Sequence, residues 1–168
     1  SVCMAVPALL AAGECAAARE WLPAIAEGRS CATLAVAEAS GGFGAGDVAM
    51  VARRSGDGFV LSGAKRFVLD GHCADLVLVA ARREGSTGDA GVSLFAVPAA
   101  SPVLGRCALT TVDKTRRFAD VSLRDVRVPA AALIGAEGQG WPLIQRALDL
   151  AAIALAAEQV GGAQRCLD

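Results

Sequence analysis

Two Asp-Gly dipeptides, Asp57-Gly58 and Asp70-Gly71, frame the stretch that most restricts this chain, GDGFVLSGAKRFVLDGHCAD over 56–75. Each signals a tight turn, because glycine tolerates positive φ and the aspartate side chain bonds its own backbone. Phe59 and Leu61 begin an alternating apolar pattern, Gly63 interrupts it, and Phe67-Val68-Leu69 closes it. This is a strand that rises from a turn, kinks at a glycine and continues with β-branched and aromatic residues. Leu76–Ala80 adds a second apolar strand. Taken alone, the stretch is either the edge of a β-meander with no ligand or one wall of a flat aromatic cofactor's site. Lys65-Arg66 ahead of a bulky apolar triplet keeps the second possibility open.

The remaining residues narrow the function classes. A length of 168 residues favours one domain with a core able to stand alone. Sixteen basic and seventeen acidic residues leave a net charge of −1 with no long run of one sign, which argues against nucleic acid and an anionic membrane patch as partners. Hydrophobic content is 54%, inflated by alanine, with five Phe, two Trp and no Tyr. That favours small-residue packing between helices and surfaces that expect a partner. The six cysteines (Cys3, Cys15, Cys31, Cys73, Cys107, Cys166) include no C-x-x-C pair, and the chain has one histidine. Metal clusters and thioredoxin-like chemistry are therefore disfavoured. The apolar start, Ser1–Ala18, lacks a basic leader region and reads as helix, and no run reaches membrane-spanning length. The thiols read as reduced, which places the protein in the cytoplasm.

Along the chain, Val6–Leu10 and Glu14–Ala26 are helical in pattern, with breaks at Gly13 and near Pro23 and a C-cap at Gly28. Thr33–Val36 is a short strand leading into the glycine-dense loop ASGGFGAGD over 39–47, and Val48–Arg53 is extended. After the central stretch, Arg82–Gly91 is a polar loop, and Val92–Val97 is a strand stopped by Pro98. Pro102–Arg106 turns the chain. Leu109–Val112, Ala119–Leu123 and Val126–Val128 are further strands. Many short strands with frequent turns predict an antiparallel barrel or sandwich. Gly135–Gly140 is a linker, and Trp141-Pro142 opens a long helix. That helix is apolar on opposite faces, a pattern that predicts burial.

Single motifs leave their readings open. The glycines at 41–46 loosely match a dinucleotide fingerprint, yet too few residues follow for a crossover helix, so a Rossmann fold is rejected. A loop whose amides approach a ligand and a plain flexible loop both remain. Glu38 is either a helper for backbone or ligand or an exposed strand end. Arg116-Arg117 is either a phosphate grip or a solvated pair. His72-Cys73 lacks triad partners and reads as an exposed turn.

The combination is more specific. LPAIAEG (22–28), TLAVAE (33–38), a glycine loop ending at Asp47, GDGFVLSGAK (56–65), DVRVP (125–129) and GQGW (138–141) occur in one order. This closely resembles the acyl-CoA dehydrogenase family over nearly the whole chain. The resemblance implies an α+β protein whose antiparallel middle β-barrel is flanked by α-helices of N- and C-terminal helical domains. Residues 1–29 would end the first helical domain, 30–130 form the middle domain, and 131–168 give the linker and first helix of the last domain.

It also implies FAD as cofactor and oxidation of an acyl-CoA thioester to its trans-2-enoyl form. A glutamate removes the α-proton while hydride leaves for flavin N5. Cofactor contacts would come from Leu34, Ala35, Val36, Ala37, Glu38, Ala39, Ser40 and Gly41, and from Phe67, Val68 and Leu69. Asp149, Leu150, Ala151 and Ala152 would line the acyl pocket. Phe67 stands where the family has tryptophan, and Leu69 where a threonine hydroxyl serves N5. Ala151 occupies a position at which some members carry the base, so the base is expected outside the chain. The implied partners are an acyl-CoA substrate, an electron-accepting flavoprotein, and further subunits of a homo- or hetero-oligomer. The chain is then a fragment of such an enzyme, itself inactive. The alternative is a non-catalytic partner subunit of a hetero-oligomer.

Overall fold

The computed structural model describes residues 2–101 and 104–168. Two helices, α1 (Ala5–Ala11) and α2 (Ala16–Ala26), precede the sheet. Gly13 and Gly28, both at positive φ, separate and end them, while Pro23 is accommodated inside α2. Strands follow at β1 (Ala32–Ala35), β2 (Val51–Ser55), β3 (Gly58–Leu69), β4 (Leu76–Arg83), β5 (Val92–Pro98), β6 (Leu104–Ala108), β7 (Phe118–Pro129) and β8 (Leu133–Ile134). Helix α3 spans Trp141–Leu167.

The strands form one sheet in the order β6-β7-β3-β2-β4-β5-β8, with β1 also paired to β4. Two expectations fail here. The sheet is open rather than a barrel: β6 and β8 stand at its two ends and do not pair with each other. It is also mixed rather than antiparallel. β1 and β2 both run parallel to β4, β1 beside Leu76–Val79 and β2 beside Arg82-Arg83. The chain therefore leaves the sheet after β1, makes the excursion through the glycine loop, and re-enters as β2 along the same edge.

Smaller differences follow from register. Ala119–Leu123 and Val126–Val128 join into the single strand β7, which passes Asp125 at φ +52. Leu109–Val112 lies outside any strand, and the strand that pairs β7 on the side away from β3 is instead Leu104–Ala108. Of the turn expected over 102–106, Pro102 and Val103 lie outside the described residues, and the remainder is strand β6.

β3 is the longest wall and is bent by register shifts at Leu61/Gly63 and Lys65/Val68. Gly63 sits at φ +152 with the Met50 backbone against it, and a Cβ there would lie 3.0 Å from Met50 Cα. The predicted kink thus depends on the absent side chain.

Two cores flank the sheet. Phe59, Leu61, Phe95 and Val121 fill one, with the Phe59 and Phe95 rings edge to face at 5.0 Å. Ala8, Leu9, Leu34, Leu78, Trp141 and Ile144 fill the other, under α1 and the first turns of α3. Burial of α3 is only partial: Trp141, Ile144 and Ala147 are buried, whereas Ile153 is 67% and Val160 71% exposed. Among the described residues no helix is long and apolar enough to cross a membrane.

Candidate functional site

The alternation that buries Phe59 and Leu61 continues through Gly63 to Lys65, so an ammonium is carried into the interior. Lys65 is fully buried. Its Nζ donates to Val36 O at 3.0 Å and to Glu38 Oε1 at 2.6 Å. The same carboxylate oxygen accepts from the amides of Ala49 (3.0 Å) and Met50 (2.9 Å), and so closes the neck of the glycine loop. Burial draws the Lys65 ammonium down to about 8, against the opposing attraction of Glu38, and the positive charge of Arg82 acts in the same direction as burial. Arg82 is buried as well and donates only to neutral oxygens. Its acceptors are Val48 O, Ala45 O (2.6 Å), Gly88 O (3.1 Å), and Ser86 O and Oγ.

The loop held by these two cations is exposed at Ala39, Ser40 and Gly41. Gly41 N donates to Glu38 O at 2.9 Å, and Gly44 N to Asp47 Oδ2 at 3.0 Å. Asp47 folds back so tightly that a Cβ on Gly42 would sit 2.1 Å from its carboxylate. The amides of Ala39 and Ser40 meet no acceptor among the described residues.

Beside this loop, the second register shift of β3 turns Phe67 out of the sheet at φ +53, leaving the residue 51% exposed. An aromatic residue in the left-handed region is uncommon and marks a position held by its surroundings. Arg66 N donates to Ala37 O at 2.8 Å, tying this turn to the start of the loop, and the Arg66 guanidinium lies 5.6 Å from the Phe67 ring centre. Val68 points into the core. Leu69 is half-buried and belongs to neither core; its carbonyl accepts from Thr33 Oγ1 at 2.6 Å.

Leu69 and Asp70 line an open cavity of about 520 Å³ together with Ala151 and Leu155 of α3 and the Arg116–Glu158 ion pair. Two stretches far apart in sequence thus share one wall. Of the expected cofactor residues, Leu34, Ala35, Val36, Ala37 and Val68 are buried, and Glu38 is committed to Lys65 and two amides. Ala39, Ser40, Gly41 and Phe67 are exposed, and Leu69 faces the cavity. Of the expected substrate residues only Ala151 lines that cavity. Leu150 and Ala152 are exposed, and Asp149 accepts from Gln145 Nε2 at 2.9 Å.

The sequence reading missed the Glu38–Lys65 pair, although a lysine on the inward-facing side of β3 was the available signal. It also missed that Arg116 is engaged by Glu158 rather than free. His72 is half-buried, with Nδ1 unpartnered. Among the described residues no group of three or more His, Cys, Asp or Glu gathers to hold a metal.

Residues 33–126 match the profile of the family described as acyl-CoA dehydrogenase, middle domain. The bovine mitochondrial short-chain specific acyl-CoA dehydrogenase is 31% identical over 152 residues, which are 89% of this chain and 37% of that protein. The structure of butyryl-CoA dehydrogenase from Megasphaera elsdenii superposes with a TM-score of 0.90 at 25% identity, over 96% of this chain and 43% of that one. A glutaryl-CoA dehydrogenase from Mycobacterium smegmatis, solved in complex with FADH2, gives a TM-score of 0.77 at 25% identity, over 89% and 38%. The chain spans 37–43% of the length of these relatives.

Proposed function

The chain belongs to the acyl-CoA dehydrogenase family, and from this premise we propose that it forms the flavin-facing wall of an FAD-dependent oxidoreductase acting on acyl-CoA thioesters. The single observation that carries the reading is the cavity shared by Leu69 and Ala151, which brings the expected cofactor strand against the expected acyl helix. Residues 1–29, 30–130 and 131–168 then correspond to the end of one helical domain, the middle domain and the start of another.

The surroundings fit a flavin. The half-exposed Phe67 offers a flat face, and the amides of Ala39 and Ser40, on exposed residues and with no acceptor among the described residues, suit the carbonyl oxygens of a ring edge. FAD, when bound, supplies the acceptor for hydride leaving the acyl β-carbon. Leu69 gives the cavity an apolar side chain where a hydroxyl would offer a hydrogen bond. Glu38, held by Lys65 and two amides, positions the loop and does not meet the ligand. Ala151 carries no proton acceptor, so we assign removal of the α-proton to a glutamate outside these residues.

The reduced cofactor would pass its electrons to a flavoprotein partner. The exposed apolar half of α3 favours further subunits, of the same or another chain. Six free cysteines favour a reducing compartment, the cytoplasm in the first instance. The methyl groups of Ala151 and Leu69 also favour a second reading, a non-catalytic subunit that completes a partner's site.

Leu69→Thr in the complete protein tests the placement of the flavin. A hydroxyl facing the cavity adds one hydrogen bond, worth about 0.5–1.5 kcal/mol, so the FAD dissociation constant should fall by up to roughly tenfold. A lower melting temperature with unchanged FAD affinity would instead put Leu69 against the core, where the hydroxyl goes unpaired.

A further inference from the structure

One row of α3 runs along the cavity at Leu69 and changes character at its end. Ala151, Ala154, Leu155 and Glu158 all line the cavity, and their spacing of three, four and seven residues puts them on one face of the helix. The first three are apolar. The fourth is a carboxylate, paired with Arg116 from the segment between β6 and β7, which lines the same cavity. Among the described residues this is the one ion pair that α3 makes. The segment itself is ordered just ahead of Arg116, where Asp113 Oδ1 accepts from Thr115 N at 2.8 Å and from Thr115 Oγ1 at 2.6 Å. The Arg116 and Glu158 side chains are 38% and 62% exposed, so their pairing adds little to stability. What distinguishes the pair is its place at the end of an apolar row.

We propose, on the reading that Leu69 and Ala151 mark the reacting end of an acyl site, that the Arg116–Glu158 ion pair is the stop that sets acyl length. Ala151 and Glu158 are seven residues apart, about 10 Å of helix at about 1.5 Å per residue. An extended chain advances about 1.3 Å per carbon, so roughly eight carbons past the α-carbon fit before the pair, an acyl group of about ten carbons. Up to that length each methylene leaves water beside Ala154 and Leu155, which is worth roughly fourfold in affinity. A longer tail meets two charges and must either strip water from them or part them. Neither gives the gain, so the preference for length ends there. The substrate class is short- to medium-chain acyl thioesters.

The test measures dissociation constants of S-alkyl-CoA thioethers, butyl to tetradecyl, for the FAD-loaded complete protein by titration calorimetry. Lacking a carbonyl, these compounds bind without being oxidised. The expected series tightens roughly fourfold for each added carbon up to about decyl and is flat beyond it. In Glu158→Ala and in Arg116→Ala the tightening continues, so that tetradecyl binds about tenfold or more tighter than to the unaltered protein. Combining Arg116→Glu with Glu158→Arg rebuilds the pair and returns the break to decyl, which a general loosening of α3 would not do. Affinity that keeps rising to tetradecyl in the unaltered protein, or a break that neither single variant moves, would overturn the stop. Flavin bleaching by butyryl-CoA reports separately on the oxidation. Bleaching without a break in the series removes the stop and leaves the acyl site, whereas binding of no thioether at any length removes both.

Discussion

Glu38→Ala should destabilise the fold by about 3–5 kcal/mol, because it leaves a buried ammonium without its counter-charge. The loss is threefold. Lys65 keeps only the Val36 carbonyl, and the amides of Ala49 and Met50 lose their acceptor in the same step. Lys65→Met should cost less, about 2–3 kcal/mol, since the Glu38 carboxylate retains both amide donors. The pair as a whole is not a large stabilising term: burial still holds Lys65 at about 8 despite the carboxylate beside it. Breaking half of it is what costs. Glu38→Gln keeps an acceptor for the amides and separates the charge from the hydrogen bonds. Urea unfolding of the four proteins in the Glu38→Gln, Lys65→Met cycle measures the coupling directly. A cost below about 1 kcal/mol for Glu38→Ala would mean that water reaches the pair.

Arg82→Met is the second large effect, with an expected loss of about 3 kcal/mol or more. Among the described residues its guanidinium has no carboxylate partner, and it bonds the carbonyls of Ala45, Val48, Ser86 and Gly88 together. Removing it orphans the buried carbonyls of Ala45 and Val48 and at the same time releases the more exposed Ser86 and Gly88. Arg82→Lys keeps the charge but offers three donors in place of a planar five-donor fork, so only part of the loss should be recovered. The consequence is local as well as global. The 45–48 segment anchors the glycine loop, so limited proteolysis over 39–47 should accelerate in Arg82→Met before global unfolding begins. Unchanged proteolysis there, with a loss below about 1 kcal/mol, would assign the loop's order to Glu38 alone.

What was legible in the sequence follows the range of the interaction. β3 could be bounded from its two Asp-Gly turns, and β5 from Pro98, because turn chemistry acts over two to four residues. The kink at Gly63 was legible for the same reason. The parallel pairing of β1 and β2 with β4 was not, since nothing local distinguishes a strand that leaves an edge and rejoins it. β7 appeared as two strands because Arg124-Asp125 breaks the apolar run, whereas the backbone passes through Asp125 at positive φ. At the candidate site, motif order pointed to the loop at 39–47 and to Phe67–Leu69. Which side chains face outward depended on the β3 register shift, which turns Phe67 out and Val68 in. The cavity, lined by Leu69 of β3 together with Ala151 and Leu155 of α3, has no local signature at all.

The central claim is that Phe67, Leu69 and the loop at 39–41 face a flavin used to oxidise an acyl-CoA. The most direct measurement is the visible absorbance spectrum of the complete protein under anaerobic conditions, before and after addition of a panel of acyl-CoA thioesters beginning with butyryl-CoA. The predicted result is a bound-flavin spectrum that bleaches with at least one thioester. Bound flavin that no thioester bleaches would contradict catalysis and favour the non-catalytic subunit. A protein that retains no flavin when supplied with FAD would contradict the flavin-facing wall itself.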